Sequence, residues 1–130
     1  MDASVIAKWF LPEAGSEAAL ALRRDAPLLV PSLLWAEVGN ILWKGCRKQW
    51  LTADAARRAL HFLDRPGLLE AVPTESLAPA AFALSLDLDH PLYDCLYLAL
   101  AEREGVPLVT ADRRFLERAR AAGHHRVVAL

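Results

Sequence analysis

Four acidic residues stand in places that solubility alone does not explain. Asp112 closes the run Val109-Thr110-Ala111-Asp112, just past the end of a predicted strand and at the start of a predicted helix. Asp94 is the only charge in the apolar helical stretch 91–100, and Glu37 is the only acid in 31–38. Asp2 directly precedes Ala3-Ser4-Val5-Ile6, which reads as a strand end turning into a helix. Ligands of open parallel sheets bind beyond the carboxyl ends of the strands, and by sequence order Asp2 and Asp112 fall there. Gathered carboxylates raise one another's pKa, and bound cations relieve that cost. With oxygen ligands and no His/Cys ligand set, the fitting ions are Mg2+ or Mn2+. Such ions keep open positions for water and phosphate oxygens, which equips a site for metal-assisted displacement at a phosphodiester.

Taken singly, each acid has a structural explanation. Asp112 suits a helix N-cap, and Asp94 gains from the macrodipole in the first turn of its helix. Glu37 suits the surface of an amphipathic helix, and Asp2 suits a loose terminus. The set is harder to dismiss, because Glu37 and Asp94 would be buried or half-buried with no Lys or Arg partner on their own helices.

The elements that must position these acids alternate. Short β-branched runs at 28–30, 68–72, 107–109 and 126–128 read as strands, each preceded by Pro, Gly or polar punctuation. Helical patterns lie between them, which is the signature of βαβ units around a parallel sheet. Ser16 is the expected cap of a helix over 16–24, and Pro31 or Ser32 opens one reaching towards Gln49. Thr52 begins another that Pro66-Gly67 must end, and a further helix over 76–88 carries Pro79 near its start. His90-Pro91 starts a helix that Gly105 closes, and the last helix runs from Asp112 to before Gly123.

The 130 residues suit one domain, 1–130, with a single core. A hydrophobic content of 55% with 24% charge excludes a disordered chain, and a net charge of −1 excludes a global basic field for nucleic acid or membrane. Cys46 and Cys95 are isolated, which suits a reducing cytosol and argues against disulfides or structural zinc. Asp2, Lys8 and Glu13 interrupt any N-terminal apolar region, and no apolar run approaches a membrane span. A soluble, cytoplasmic protein is expected.

Several other features have two readings. Arg113 and Arg114, with Arg118 and Arg120 beyond, suit RNA phosphates or equally a solvated helix face. Lys44, Arg47 and Lys48 pose the same choice, with a helix-dipole role favoured. Trp35, Trp43 and Trp50 are expected in core or dimer-interface packing rather than as base-stacking platforms. His61, His90, His124 and His125 show no ligand spacing and are expected as caps or surface residues, and Tyr93 and Tyr97 as packing residues on one helix face.

Four segments in order carry a resemblance: 2–10 (DASVIAKWF), 31–40 (PSLLWAEVGN), 90–101 (HPLYDCLYLALA) and 107–115 (PLVTADRRF). The chain resembles PIN-domain proteins, and within them the VapC toxins of bacterial type II toxin–antitoxin pairs. The resemblance implies an α/β fold, a three-layer α/β/α arrangement with a short, mainly parallel central sheet. It implies a Mg2+- or Mn2+-dependent endoribonuclease in which metal-activated water cleaves RNA such as tRNA or rRNA. A homodimer held inactive by a small VapB-like antitoxin is implied too. Asp2, Glu37, Asp94 and Asp112 match the family's acidic quartet, and Ser4 and Thr110 its supporting hydroxyls. Asn40, one turn after Glu37, is expected to face the same region. Two alternatives to the toxin are an RNA-processing nuclease without an antitoxin and a catalytically silent RNA- or protein-binding module. The family normally places an apolar strand before its first Asp, whereas only Met1 precedes Asp2 here. Either the true start lies upstream, or the chain is trimmed, or the first strand is a stub; a central strand missing its body is expected to weaken the sheet and loosen Asp2.

Overall fold

The four short apolar runs form strands within a residue or so of their expected bounds: β1 (Leu28–Pro31), β2 (Leu69–Val72), β3 (Leu108–Thr110) and β4 (Val127–Ala129). The computed structural model describes residues 1–23 and 27–130. Strand β1 pairs in parallel with β2, Leu28 opposite Leu69, and β3 pairs in parallel with β4, Leu108 opposite Val127. Parallel neighbours need a crossover. The first pair is joined through α3 (Leu34–Arg47) and α4 (Ala53–Leu63), the second through α7 (Arg113–Ala121). The remaining helices are α1 (Ala3–Ala7), α2 (Ser16–Ala21), α5 (Thr74–Leu88) and α6 (Leu92–Glu104). The chain is thus α/β, with helices on short parallel strands in the three-layer α/β/α manner.

The expected central sheet is divided: among the described residues, the two pairs share no strand ladder. Helix α1 begins at Ala3, and the Asp2 N–H just before it donates to the carbonyl of Val109 at 3.1 Å. Helix α6 takes over the work of joining the halves, because it packs against both β1 and β3 and lies along α5. Cys95 to Ala101 are buried without a break, which suits a helix apolar on all sides. Gly105 ends it in the left-handed region at φ 67°, a conformation that costs glycine little.

Several helix starts differ from expectation, each through a competing hydrogen bond. Helix α3 begins at Leu34 because Pro31 completes β1 and the Ser32 N–H donates to Val72 at 2.8 Å. The Ser32 hydroxyl is engaged with Thr74, whose Oγ1 in turn accepts from the Leu33 N–H at 2.9 Å. Gly15, rather than Ser16, caps α2, since the Ser16 hydroxyl turns back to the Leu11 carbonyl at 2.7 Å. The expected end of that helix at residue 24 lies outside the described residues. Helix α5 starts at Thr74, which puts Pro79 in the second turn, on an exposed face where water can serve the freed carbonyl. Thr52 and Asp112 cap α4 and α7 as expected, accepting from Ala55 and Phe115.

The aromatic residues also separate. Trp35 is half-buried and donates to Asp64 at 2.8 Å, whereas Trp43 and Trp50 are exposed and lie beneath Arg47 and Lys48 instead of in the core. Tyr97 is buried but Tyr93 is exposed, so the two do not share one packed face. No helix among the described residues is long and apolar enough to cross a membrane.

If α6 is the element on which both strand pairs rest, truncating its core contacts should cost far more than truncating a neighbour. Leu96→Ala (1% exposed) is expected to lower unfolding free energy by about 2–5 kcal/mol in urea titrations. Leu86→Ala on α5 (67% exposed) should change it by no more than about 0.5 kcal/mol. Equal losses would contradict the packing.

Candidate metal centre

Asp2 is the most buried of the four acids, at 2% exposure. It caps α1, its Oδ1 accepting from the Val5 N–H at 3.1 Å and from the Ser4 hydroxyl at 2.6 Å. The expected looseness of Asp2 is therefore overturned: its backbone is tied to β3 and its carboxylate to the first turn of α1. Ser4 does double duty, since its Oγ also accepts from the Ala111 N–H at 3.3 Å and so joins α1 to the segment after β3.

Asp112 caps α7 through Oδ1, which accepts from Phe115 at 3.0 Å, and its own N–H donates to buried Thr110 Oγ1 at 3.0 Å. A carboxylate at that cap is stabilised by the helix dipole. Asp94 sits in the first turn of α6, where Oδ2 lies 2.6 Å from His90 Nε2. Glu37, in the first turn of α3, accepts at Oε2 from the Tyr97 hydroxyl at 2.6 Å. All four acids thus stand at helix starts, where free N–H groups and dipoles favour negative charge.

Their proximity shows in their acidity. Burial pushes Glu37 above the ordinary carboxylate range, Tyr97 pulls it back down, and the charges of Asp94 and Asp2 push it up further. Burial likewise raises Asp94, against the opposing hydrogen bond from His90, with Asp2 and Asp112 adding to the rise. Burial and the Glu37 charge hold the Tyr97 hydroxyl far above its usual range, so it remains a donor. Among the described residues, none of the four acids pairs with Lys or Arg.

A divalent cation fits this donor set. Asp2 Oδ2 is buried and, among the described residues, is the side-chain polar atom left without a hydrogen-bond partner. An orphaned carboxylate oxygen in a low-dielectric setting is costly unless a cation meets it. Asp94 and Asp112 each bring a carboxylate oxygen within 4.8 Å of the other and of a His90 ring nitrogen, a group that, among the described residues, includes neither Asp2 nor Glu37. The carboxylate oxygens are hard donors, which suit a divalent cation.

The other expected residues divide. Ser4 and Thr110 bond within the centre, as just described, whereas Asn40 is exposed and, among the described residues, makes no hydrogen bond to an acid. Arg113 and Arg114 are exposed at the start of α7 beside Asp112. Two participants escaped the sequence reading. His90 is buried (8% exposed), neither cap nor surface residue, and Tyr97 is a hydrogen-bonding partner as well as a packing residue. The i,i+4 spacing of His90 and Asp94 was the available signal for the first. For the second it was the need of a buried tyrosine for a hydroxyl partner.

The family model described as PIN domain matches residues 1–121. Ribonuclease VapC3 of Pyrobaculum aerophilum is 38% identical over 122 residues, covering 91% of this chain and 92% of that protein. Ribonuclease VapC1 of Mycobacterium tuberculosis is 36% identical over 84 residues, covering 65% of this chain and 62% of that protein.

The raised pKa of Glu37 has a consequence for stability in the metal-free protein. An acid whose folded pKa exceeds its unfolded value of about 4.3 favours the fold when protonated. That contribution is fully present below the unfolded value and is lost as pH rises through the folded one. Glu37→Gln in EDTA should therefore gain in urea midpoint relative to wild type as pH increases from 4 to 7.5. A difference that stays constant, or moves the other way, would contradict the placement of Glu37.

Proposed function

The chain belongs to the PIN domain family, and on that premise we propose that it is a divalent-metal-dependent endoribonuclease, the toxin of a toxin–antitoxin pair. The observation that carries the reading is the gathering of Asp2, Glu37, Asp94 and Asp112 without a Lys or Arg partner among the described residues, with one buried oxygen of Asp2 left unbonded. A catalytically silent binding module would gain nothing from that repulsion. The names of the relatives, Ribonuclease VapC3 and Ribonuclease VapC1, favour a toxin over a processing nuclease.

In this reading the four carboxylates hold Mg2+ or Mn2+. When bound, the ion supplies Lewis-acid polarisation of a phosphate and a nucleophile from water at neutral pH. The chain's own contribution is placement. Ser4 and the α1 backbone aim Asp2, Thr110 and the α7 backbone aim Asp112, and Tyr97 steadies Glu37. Fixed donors and charges of this kind cost little reorganisation during reaction. No single carboxylate is assigned as sole general base.

RNA is taken to approach over α7. A cleft of about 330 Å3 beside Asp112 is lined by Lys8, Thr110 and Arg113 among others. Arg113 and Arg114 occupy the first turn of α7, where cations oppose the helix dipole, and phosphate contacts would compensate for that placement. A VapB-like antitoxin partner, a homodimeric state and a cytoplasmic location belong to the same proposal.

Asp94→Asn removes one charge while keeping the shape of α6. It is expected to lower Mg2+- or Mn2+-dependent cleavage of RNA by on the order of 100-fold or more, with the circular dichroism spectrum unchanged. An Asn variant that cuts as fast as wild type would end the proposal.

A further inference from the structure

His90 is not among the acids that define the centre, yet it touches the surroundings of two of them. Its side chain is 5% exposed, and its Nε2 lies 2.6 Å from Asp94 Oδ2. Its ring packs on Phe115 of α7, centroids 4.8 Å apart at 36°, and Phe115 is the residue whose N–H is capped by Asp112. The backbone at this position is held as well. The His90 N–H donates to the Ser85 carbonyl at 3.2 Å, and the Ser85 hydroxyl donates to the His90 carbonyl at 2.5 Å. Arg118 of α7 reaches the Leu88 carbonyl at 3.1 Å and Asp89 at 3.2 Å, pinning the turn that precedes His90. The imidazole is thus a preset group between the helix that carries Asp94 and the helix that Asp112 caps.

We propose that His90 is a positioning residue of the metal centre, its Nε2–H donating to Asp94 Oδ2 so that Oδ1 is presented to the cation. The inference rests on the metal-centred reading above. An ionised carboxylate only accepts hydrogen bonds, so the nitrogen facing Asp94 must be the donor. A nitrogen that donates in this way has no lone pair for a cation, which makes direct ligation through Nε2 incompatible with the geometry. What the contact does supply is orientation. A carboxylate on two rotatable bonds loses freedom when one oxygen is fixed, and the remaining oxygen then needs less ordering when a cation arrives. Partners that orient metal ligands in this way typically govern affinity by about 10- to 100-fold. Packing against Phe115 also ties the same ring to the first turn of α7.

The experiment is a Mn2+ titration of the full chain, read by the electron paramagnetic resonance signal of free Mn2+ after EDTA treatment, with urea midpoints recorded alongside. His90→Gln keeps a donor near the Nε2 position, whereas His90→Asn is polar but too short and His90→Leu has none. Asn and Leu are expected to weaken Mn2+ binding by about 10- to 100-fold, and Gln to stay within about threefold of wild type. If Leu does not fold, the Gln–Asn pair decides. Wild-type affinity in Asn or Leu, alongside a weakened Asp94→Asn, would overturn the role of His90 alone. Equal weakening in Gln and Asn would also overturn it, since a donor at the right reach would then not suffice. Wild-type affinity in Asp94→Asn, or no Mn2+ binding by wild type, would overturn the metal reading and this inference with it.

Discussion

Like charges brought together in a half-dry cleft repel one another, and the protein is organised around tolerating that repulsion. Asp2 and Asp94 raise the pKa of Glu37, and Asp2 and Asp112 raise that of Asp94, on top of what burial does. The compensation comes from within the fold. Each acid stands at the start of a helix, Asp2 and Asp112 cap N–H groups directly, and Tyr97 and His90 each donate or lie ready to donate to one carboxylate. None of this provides a full positive charge from Lys or Arg, so the cluster retains a net demand for a cation.

Helix α6 is the mechanical basis of the arrangement. Its unbroken buried stretch binds the two strand pairs into one core, and from that helix come both Asp94 and the Tyr97 hydroxyl that reaches α3. The strands are too short to carry the site by themselves: β3 and β4 are three residues each. They serve instead to deliver Thr110 and Asp112 to the edge where α1 begins. The hydrogen bonds from Asp2 to Val109 and from Ala111 to Ser4 close that edge.

What could be read from the residues, and what could not, follows from the range of the interactions. The strands, the Thr52 and Asp112 caps and the Gly105 stop depend on neighbours a few positions away, and the structure has them nearly where local rules put them. The start of α3 depends on Thr74, far along the chain, and so local capping rules placed it too early. The division of the sheet into two strand pairs is not encoded in the alternation of apolar runs. In the site, lone acids in apolar helices were conspicuous. His90 was not, because an imidazole reads the same whether it faces water or a carboxylate. Of the two expectations for Trp43 and Trp50, core packing is overturned, since both rings are exposed with a basic side chain over each.

The account stands on a cation being the counter-charge that the four acids lack. Anomalous diffraction from crystals grown with Mn2+ tests that most directly. The account predicts a peak bounded by Asp2 Oδ2, Asp94 and Asp112, within metal–oxygen bonding distance of their carboxylates. A well-ordered cleft with no peak, or a peak only at unrelated surface carboxylates, would contradict it.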